Sequence, residues 1–158
     1  MSRTATRNRS TKETSIEVSI ELDGTGVTSV STGIPFYDHM LDQLGRHGGF
    51  DLTVQAEGDL HIDTHHTVED VAIAVGEAFR EALGDKSGIR RFASGRFPLD
   101  EALVDVALDL SGRAHVEWFV PMPEVLACHP GYSIYTGSHC SSTARLAGMP
   151  STTLPLWR

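Results

Sequence analysis

His65, His66 and Glu69 form an HH-x-x-E pattern at the head of an apolar stretch that runs to Phe79. Val68, Val71, Ala72, Val75 and Phe79 recur at helical spacing, which predicts an amphipathic helix from about Thr67 to Leu83. On such a helix Glu69 lies one turn from both histidines, so two imidazoles and a carboxylate face one spot. Imidazole with carboxylate suits a borderline divalent ion such as Mn, Zn, Fe or Ni, whereas Mg or Ca favours all-oxygen shells. The pattern also has a plain structural reading, a polar opening turn in which Thr67 and Asp70 act as a capping pair. From this motif alone both readings stay open.

The elements that must position these residues follow from periodicity and turn chemistry. Met1 to Lys12 is polar and basic and is expected to be loose until Thr11-Lys12-Glu13-Thr14. Ile16, Val18, Ile20 and Leu22 alternate with polar residues as in a half-buried strand. A turn at Asp23-Gly24-Thr25-Gly26 and a second strand over Val27 to Thr32 complete an expected antiparallel hairpin. Pro35 opens a helix that Gly48-Gly49 ends, with Phe36, Tyr37, Met40, Leu41 and Leu44 on its core side. His39, Asp42, Gln43 and Arg46 share the other side, where His39 taken alone reads more readily as a surface histidine than as a functional one. Phe50, Leu52, Val54 and Ala56 alternate as a strand turning at Glu57-Gly58-Asp59, and Leu60 and Ile62 start another that delivers His65 and His66 to the main helix.

Gly84 to Gly88 closes that helix, and Ile89-Arg90-Arg91-Phe92 follows as a basic turn. It is either solvated or a seat for phosphate, whose oxygens match guanidinium forks. Glu101 to Leu110 is a strand leading to Ser111-Gly112-Arg113. The order ββαββαβ predicts an α+β fold with helices packed on one face of a largely antiparallel sheet.

Composition narrows the function classes. A chain of 158 residues fits one domain or two small halves and can bury a core. No run approaches the roughly 18 apolar residues that span a bilayer, and the start lacks a signal-peptide core, so a soluble cytoplasmic protein is expected. The net charge of −8 argues against a general nucleic-acid binder but leaves room for a small anion held by local arginines. Cys128 and Cys140 suggest neither a disulfide framework nor a zinc knuckle and read as ordinary thiols. After Arg113 the character changes: the last 45 residues hold only four charged residues but five of the seven prolines. Val116, Trp118 and Val120 fit a strand completing a hairpin with the preceding one, and beyond Pro121 no period is sustained.

Several stretches together resemble imidazoleglycerol-phosphate dehydratase, the manganese-dependent family of histidine biosynthesis. They are Thr11-Lys12-Glu13-Thr14, Leu22-Asp23-Gly24-Thr25-Gly26, Gly33-Ile34-Pro35-Phe36-Tyr37-Asp38-His39-Met40-Leu41-Asp42 and His65-His66-Thr67-Val68-Glu69-Asp70. Gly88-Ile89-Arg90-Arg91-Phe92, Pro98-Leu99-Asp100-Glu101-Ala102-Leu103 and Asp109-Leu110-Ser111-Gly112-Arg113 follow in the family's order. The resemblance covers residues 9–113. It implies the first half, plus the start of the second, of a duplicated ββαββα-type fold, and a homo-oligomer, a large symmetric shell with dinuclear manganese sites at subunit boundaries. It further implies a hydro-lyase, cleaving a carbon–oxygen bond to turn imidazoleglycerol phosphate into imidazole-acetol phosphate and water. His39, His65, His66 and Glu69 match metal-ligand positions and Glu13 the acid/base. Gln43 and His47 match the active-site helix, Arg91 and Arg113 the grip on phosphate, and Asp100 the imidazole end.

The family's second HH-x-x-E, its Phe-Lys and its Ser-x-Lys-Gly segment do not occur after Arg113, and Ala93-Ser94-Gly95-Arg96 replaces its Gly-Asp. Residues 1–113 are therefore expected to form the dehydratase-like domain and 114–158 a divergent tail, frame-slipped or poorly folded. With suitable codons Ser138 to Thr153 can be back-translated so that another reading frame gives a peptide similar to the absent stretch. The alternative to an active lyase is a truncated, catalytically impaired metal-binding remnant of it. An unrelated metal hydrolase using His65, His66 and Glu69 leaves Glu13, Arg91 and Arg113 without roles.

Overall fold

The structure, a computed structural model, describes residues 2–119 and 153–155. Its centre is β2 (Thr14–Glu21), which pairs antiparallel with β1 (Thr4–Ser10) on one edge and with β4 (Asp51–Gly58) on the other. Alternation along β2 and β4 places Ile16, Val18, Ile20, Leu52 and Val54 on one face, with Val18 opposite Val54 and Ile20 opposite Leu52. Helix α2 (His65–Leu83) lays Val68, Val71, Ala74, Val75 and Ala78 across that face, and these small side chains let the helix approach closely. Helix α1 (Pro35–Gly48) closes the same face beside β3 (Thr28–Ser31) and β4, contributing Tyr37 and Leu41. The Tyr37 hydroxyl donates to the Val68 carbonyl at 3.3 Å, joining the two helices, and Phe50 meets Phe79 edge to face at 5.2 Å. The expected α+β arrangement with helices on one face is thus present.

Several local expectations are corrected. The first residues are not loose: they form β1, an edge strand whose polar sequence hides a packing role. Ala5, Arg7 and Arg9 share the side toward α2, where Arg7 pairs with Glu81 and Arg9 with Asp70. The hairpin over residues 16–32 does not form, because β1 and β4 already occupy both edges of β2. Instead β3 runs parallel to β4, a connection that needs a crossover, and α1 is that crossover. No strand spans Leu60 to Ile62; that stretch is a turn, and it alone brings the chain to His65. On α1 the buried residues are Tyr37, Leu41 and Gly45, while Phe36, Met40 and Leu44 are exposed, so the core stripe is narrower than its apolar content implied.

After α2 the order is β5 (Phe92–Leu99), β6 (Ala102–Asp109), β7 (Glu117–Phe119) and β8 (Thr153–Pro155). Phe92 starts a strand rather than ending a basic turn. Trp118 lies in β7 as a strand residue, but β7 pairs parallel with β8, and it is β8 that pairs antiparallel with β6. The second sheet, β5-β6-β8-β7, repeats the connectivity of the first, β1-β2-β4-β3. The expectations for Val120, for Cys128 and Cys140 and for the rest of residues 120–152 and 156–158 fall outside the described residues. Among the described residues no helix is long and apolar enough to cross a membrane.

The turn that steers the chain toward β3 is held by Asp51, whose carboxylate accepts the backbone N–H groups of Thr25 and Val27, each at 2.8 Å. These bonds hold its carboxyl below the usual carboxylate range. The unfolded chain therefore takes up this proton at higher pH than the folded one. The stabilisation is complete above the ordinary carboxylate pKa of about 3.9 and is lost as pH falls through the lower folded value. Asp51→Asn should lower the melting temperature at pH 7, and the gap to the wild type should shrink below about pH 4. Thermal unfolding across pH checks this, and an unchanging gap from neutral to acid pH would remove the role.

Candidate active site

Helix α2 opens without a side-chain cap from Thr64; the Asp63 carboxylate instead accepts the His65 N–H at 2.6 Å. Thr67 and Asp70 are not a capping pair. Thr67 is fully buried against Gly58, where an added Cβ would lie 2.0 Å from its hydroxyl, and Asp70 points toward the β1–β2 turn. There Asp70, only 8% exposed, accepts from Thr14 Oγ1 at 2.6 Å, Arg9 Nε at 2.8 Å and Thr11 Oγ1 at 3.3 Å. Burial works against its charge, but the Thr14 and Arg9 hydrogen bonds outweigh it and keep the carboxyl below the usual range.

This clamp fixes the turn that carries Glu13 beside the helix end that carries the histidines. His65 Nε2 stands 3.2 Å from Glu69 Oε2, one helical turn on. Donor atoms about 2.1 Å from a shared ion and at right angles lie about 3 Å apart, so this spacing fits two adjacent corners of one coordination shell. The His65 and His66 rings are 5.9 Å apart. His66 Nδ1 is hydrogen-bonded to Asp59 at 3.0 Å, which leaves Nε2 as its outward donor, the orientation that carboxylate partners impose on ligand histidines. The Asp59 hydrogen bond, with the charges of Asp59, Glu13 and Asp70, raises the His66 pKa above its ordinary value. The Asp59 backbone N–H also donates to the Glu13 carbonyl at 3.1 Å, so one residue ties the exposed Glu13 turn to His66. The His65–Glu69 pair thus has the spacing of two donors on one divalent ion, while the His66 ring stands apart from it.

The other candidates lie apart. His39, Gln43 and His47 line one exposed side of α1, with His47 Nε2 and Gln43 Oε1 hydrogen-bonded at 2.9 Å. Among the described residues no three His, Cys, Asp or Glu side chains converge to hold an ion, so His39 does not join His65 and Glu69 within one chain. Arg91 donates to Asp109 through Nε at 2.7 Å and a terminal nitrogen at 3.2 Å, with its guanidinium 4.8 Å from the centre of the Phe92 ring. Arg113 follows β6 at the same end of the β5–β6 hairpin. Asp100 sits at the opposite end, exposed in the tight turn with φ of 49°, about 30 Å along the strand from Arg91 at roughly 3.3 Å per residue. Sequence reasoning missed Asp59, taken as a turn residue, and Asp109, taken as the end of a strand; the one available signal was position, seven residues before His66 for the first and at the base of the hairpin for the second.

A profile of the imidazoleglycerol-phosphate dehydratase family matches residues 32–129. The chain belongs to that family. It is 65% identical over 120 residues to the imidazoleglycerol-phosphate dehydratase of Parafrankia sp. (strain EAN1pec), covering 74% of this chain and 62% of that protein. To the one from Streptomyces coelicolor it is 64% identical over 116 residues, covering 73% and 59%. The chain thus spans about three-fifths of the length of the curated relatives it matches. Among solved structures, the enzyme of Pyrococcus furiosus in complex with (S)-C348 superposes with TM-score 0.71 at 28% identity, covering 96% of this chain and 81% of that one. The Staphylococcus aureus dehydratase shares the fold, with TM-score 0.75 at 24% identity over 98% and 84% of the two chains.

Two outcomes follow from the clamp and its neighbour. Asp70→Ala leaves Arg9 and Thr14 without their acceptor and should cost about 2–3 kcal/mol in urea unfolding; a loss near zero would show that the clamp is not structural. Asp59→Asn should keep the fold while letting the His66 pKa fall back toward its ordinary value, since the charged hydrogen-bond partner that raises it is gone; an unchanged His66 titration followed by NMR would refute that role.

Proposed function

We propose that the chain is an imidazoleglycerol-phosphate dehydratase, a hydro-lyase of histidine biosynthesis acting in the cytoplasm on a small phosphorylated imidazole. The observation that carries this reading is the joining of Glu13 to His66 through Asp59, beside the His65–Glu69 pair. It sets a carboxylate that can move a proton next to a group of metal donors. His65, His66 and Glu69 would hold manganese, with His39 completing the shell from another subunit of a homo-oligomer. When bound, two such ions supply the positive charge that lowers the pKa of the substrate's ring.

The chain's own residues do the rest. Glu13, exposed on a turn that the Asp70 clamp fixes, takes the proton from the carbon next to the one bearing the departing hydroxyl. The carbon–oxygen bond beside the ring breaks, the hydroxyl leaves as water after gaining a proton, and the enol tautomerises to the ketone. Arg91 and Arg113 hold the phosphate end, Gln43 and His47 orient the glycerol chain, and Asp100 of a neighbouring subunit meets the imidazole end. Its distance from Arg91 along the hairpin favours that assignment to a neighbour.

One observation favours a second reading, a truncated and catalytically impaired metal-binding remnant: no three donors converge among the described residues. Turnover of imidazoleglycerol phosphate with added manganese separates the two. Activity in a particle much larger than one chain supports the lyase. No activity at any manganese concentration, with a monomeric mass in light scattering, leaves the remnant. If turnover is present, Glu13→Gln should lower kcat about 10²- to 10⁴-fold with manganese uptake unchanged; a variant as fast as the wild type would remove Glu13 from the proton transfer.

A further inference from the structure

A third cation stands beside the Arg91–Asp109 pair. Lys86, in the loop after α2, has φ of 64°, a left-handed backbone that strains a residue with a side chain. Its half-buried side chain reaches Gly112, where an added Cβ would lie 2.7 Å from Lys86 Nζ. Gly112, itself at φ of 88°, leaves the space that the ammonium fills.

Lys86 and Arg113 make no ion pair among the described residues, yet both act on Asp109. The Arg91 hydrogen bond and charge, then the charges of Arg113 and Lys86, hold the Asp109 carboxyl below its usual range. Three cations from two loops, Lys86 and Arg91 before β5 and Arg113 after β6, therefore face one carboxylate, an excess of two positive charges. Arg91 commits Nε and one terminal nitrogen to Asp109, which leaves its other terminal nitrogen for a ligand. A cavity of about 310 Å³ lined by Asp109, Ser111, Arg113 and His115 opens at this point.

We propose that Lys86 is the third cation of a seat for a phosphate monoester dianion shared with Arg91 and Arg113, and that Asp109 positions the Arg91 fork. The class of ligand rests on the dehydratase reading, while the cluster itself rests on geometry. The charge excess matches a dianion, and planar forks beside a compact ammonium suit its oxygens. The strained backbone at Lys86 is then the means by which its ammonium is aimed inward.

Inorganic phosphate titrated into the full chain at constant ionic strength, followed by calorimetry, tests this, with glycerol phosphate as a second arm. The wild type should bind both saturably, Lys86→Gln should weaken both about tenfold, and Lys86→Arg should restore most of the affinity. Lys86→Gly relieves the left-handed strain, so it should melt no lower than the wild type while binding phosphate as poorly as Lys86→Gln. A purely structural lysine would not show that split. Unchanged affinity in Lys86→Gln, or no saturable binding by the wild type, overturns the seat, and binding of free phosphate but not the ester overturns the ligand class. Lysine-dependent phosphate binding in a chain without manganese-dependent turnover would leave the seat standing and remove the dehydratase reading; turnover with a phosphate affinity indifferent to Lys86 would do the reverse.

Discussion

The carboxylate of Asp70 is the interaction on which the site depends. It is the charged group buried most deeply in the first half of the chain, and it accepts from residues of a turn some 60 positions earlier. Without it, the first turn of α2 and the β1–β2 turn would be neighbours only by the packing of Val68 and Val71 against Ile16 and Val18. Apolar packing is not directional and tolerates a sliding helix, whereas three hydrogen bonds to one carboxylate fix both distance and angle. The clamp therefore turns a generic helix-on-sheet contact into a site whose parts are held to within the reach of a hydrogen bond. Asp59 then extends the same tie to His66.

Much of this was legible in the sequence wherever one face of an element is buried. The alternation of β2 and β4, the helical spacing of α2 and the Pro-to-Gly bounds of α1 correspond to the structure because burial imposes a period on the residues that pay for it. The failures have a common cause in non-local pairing. β1 is an edge strand with one buried apolar residue, so its inward side is written in arginines that read as a loose tail. β3 reads as the second strand of a hairpin because turn chemistry at Gly24 and Gly26 is the same whether the next strand folds back on β2 or passes on to β4. What decides is Asp51, 25 residues later, which no local window contains.

The site divides in the same way. HH-x-x-E is local and its geometry follows from helical spacing, as the 3.2 Å between His65 and Glu69 shows. The groups that orient it, Asp59 and Asp70, look like ordinary turn and helix residues, because their roles exist only once strands and helix are assembled. His39 and Asp100 match the family by motif, yet within one chain they lie away from the residues with which they would act.

The second sheet sharpens this point. It repeats the connectivity of the first, and its hairpin carries the same kind of apolar alternation: Ala93, Gly95, Phe97 and Leu99 face Leu108, Val106, Val104 and Ala102 across the ladder. In the first sheet such a face is covered by α2, but among the described residues no helix covers this one, and Phe97 and Leu99 are 61% and 75% exposed. Exposed aromatic and aliphatic surface on a sheet is unstable in water unless something packs on it. Among the described residues the first sheet and its helices hold the Glu13 turn against His66, while no helix covers the apolar face of the second sheet. The local geometry of His65, His66 and Glu69 is consequently set by the first sheet and α2, and the second sheet takes no part in it.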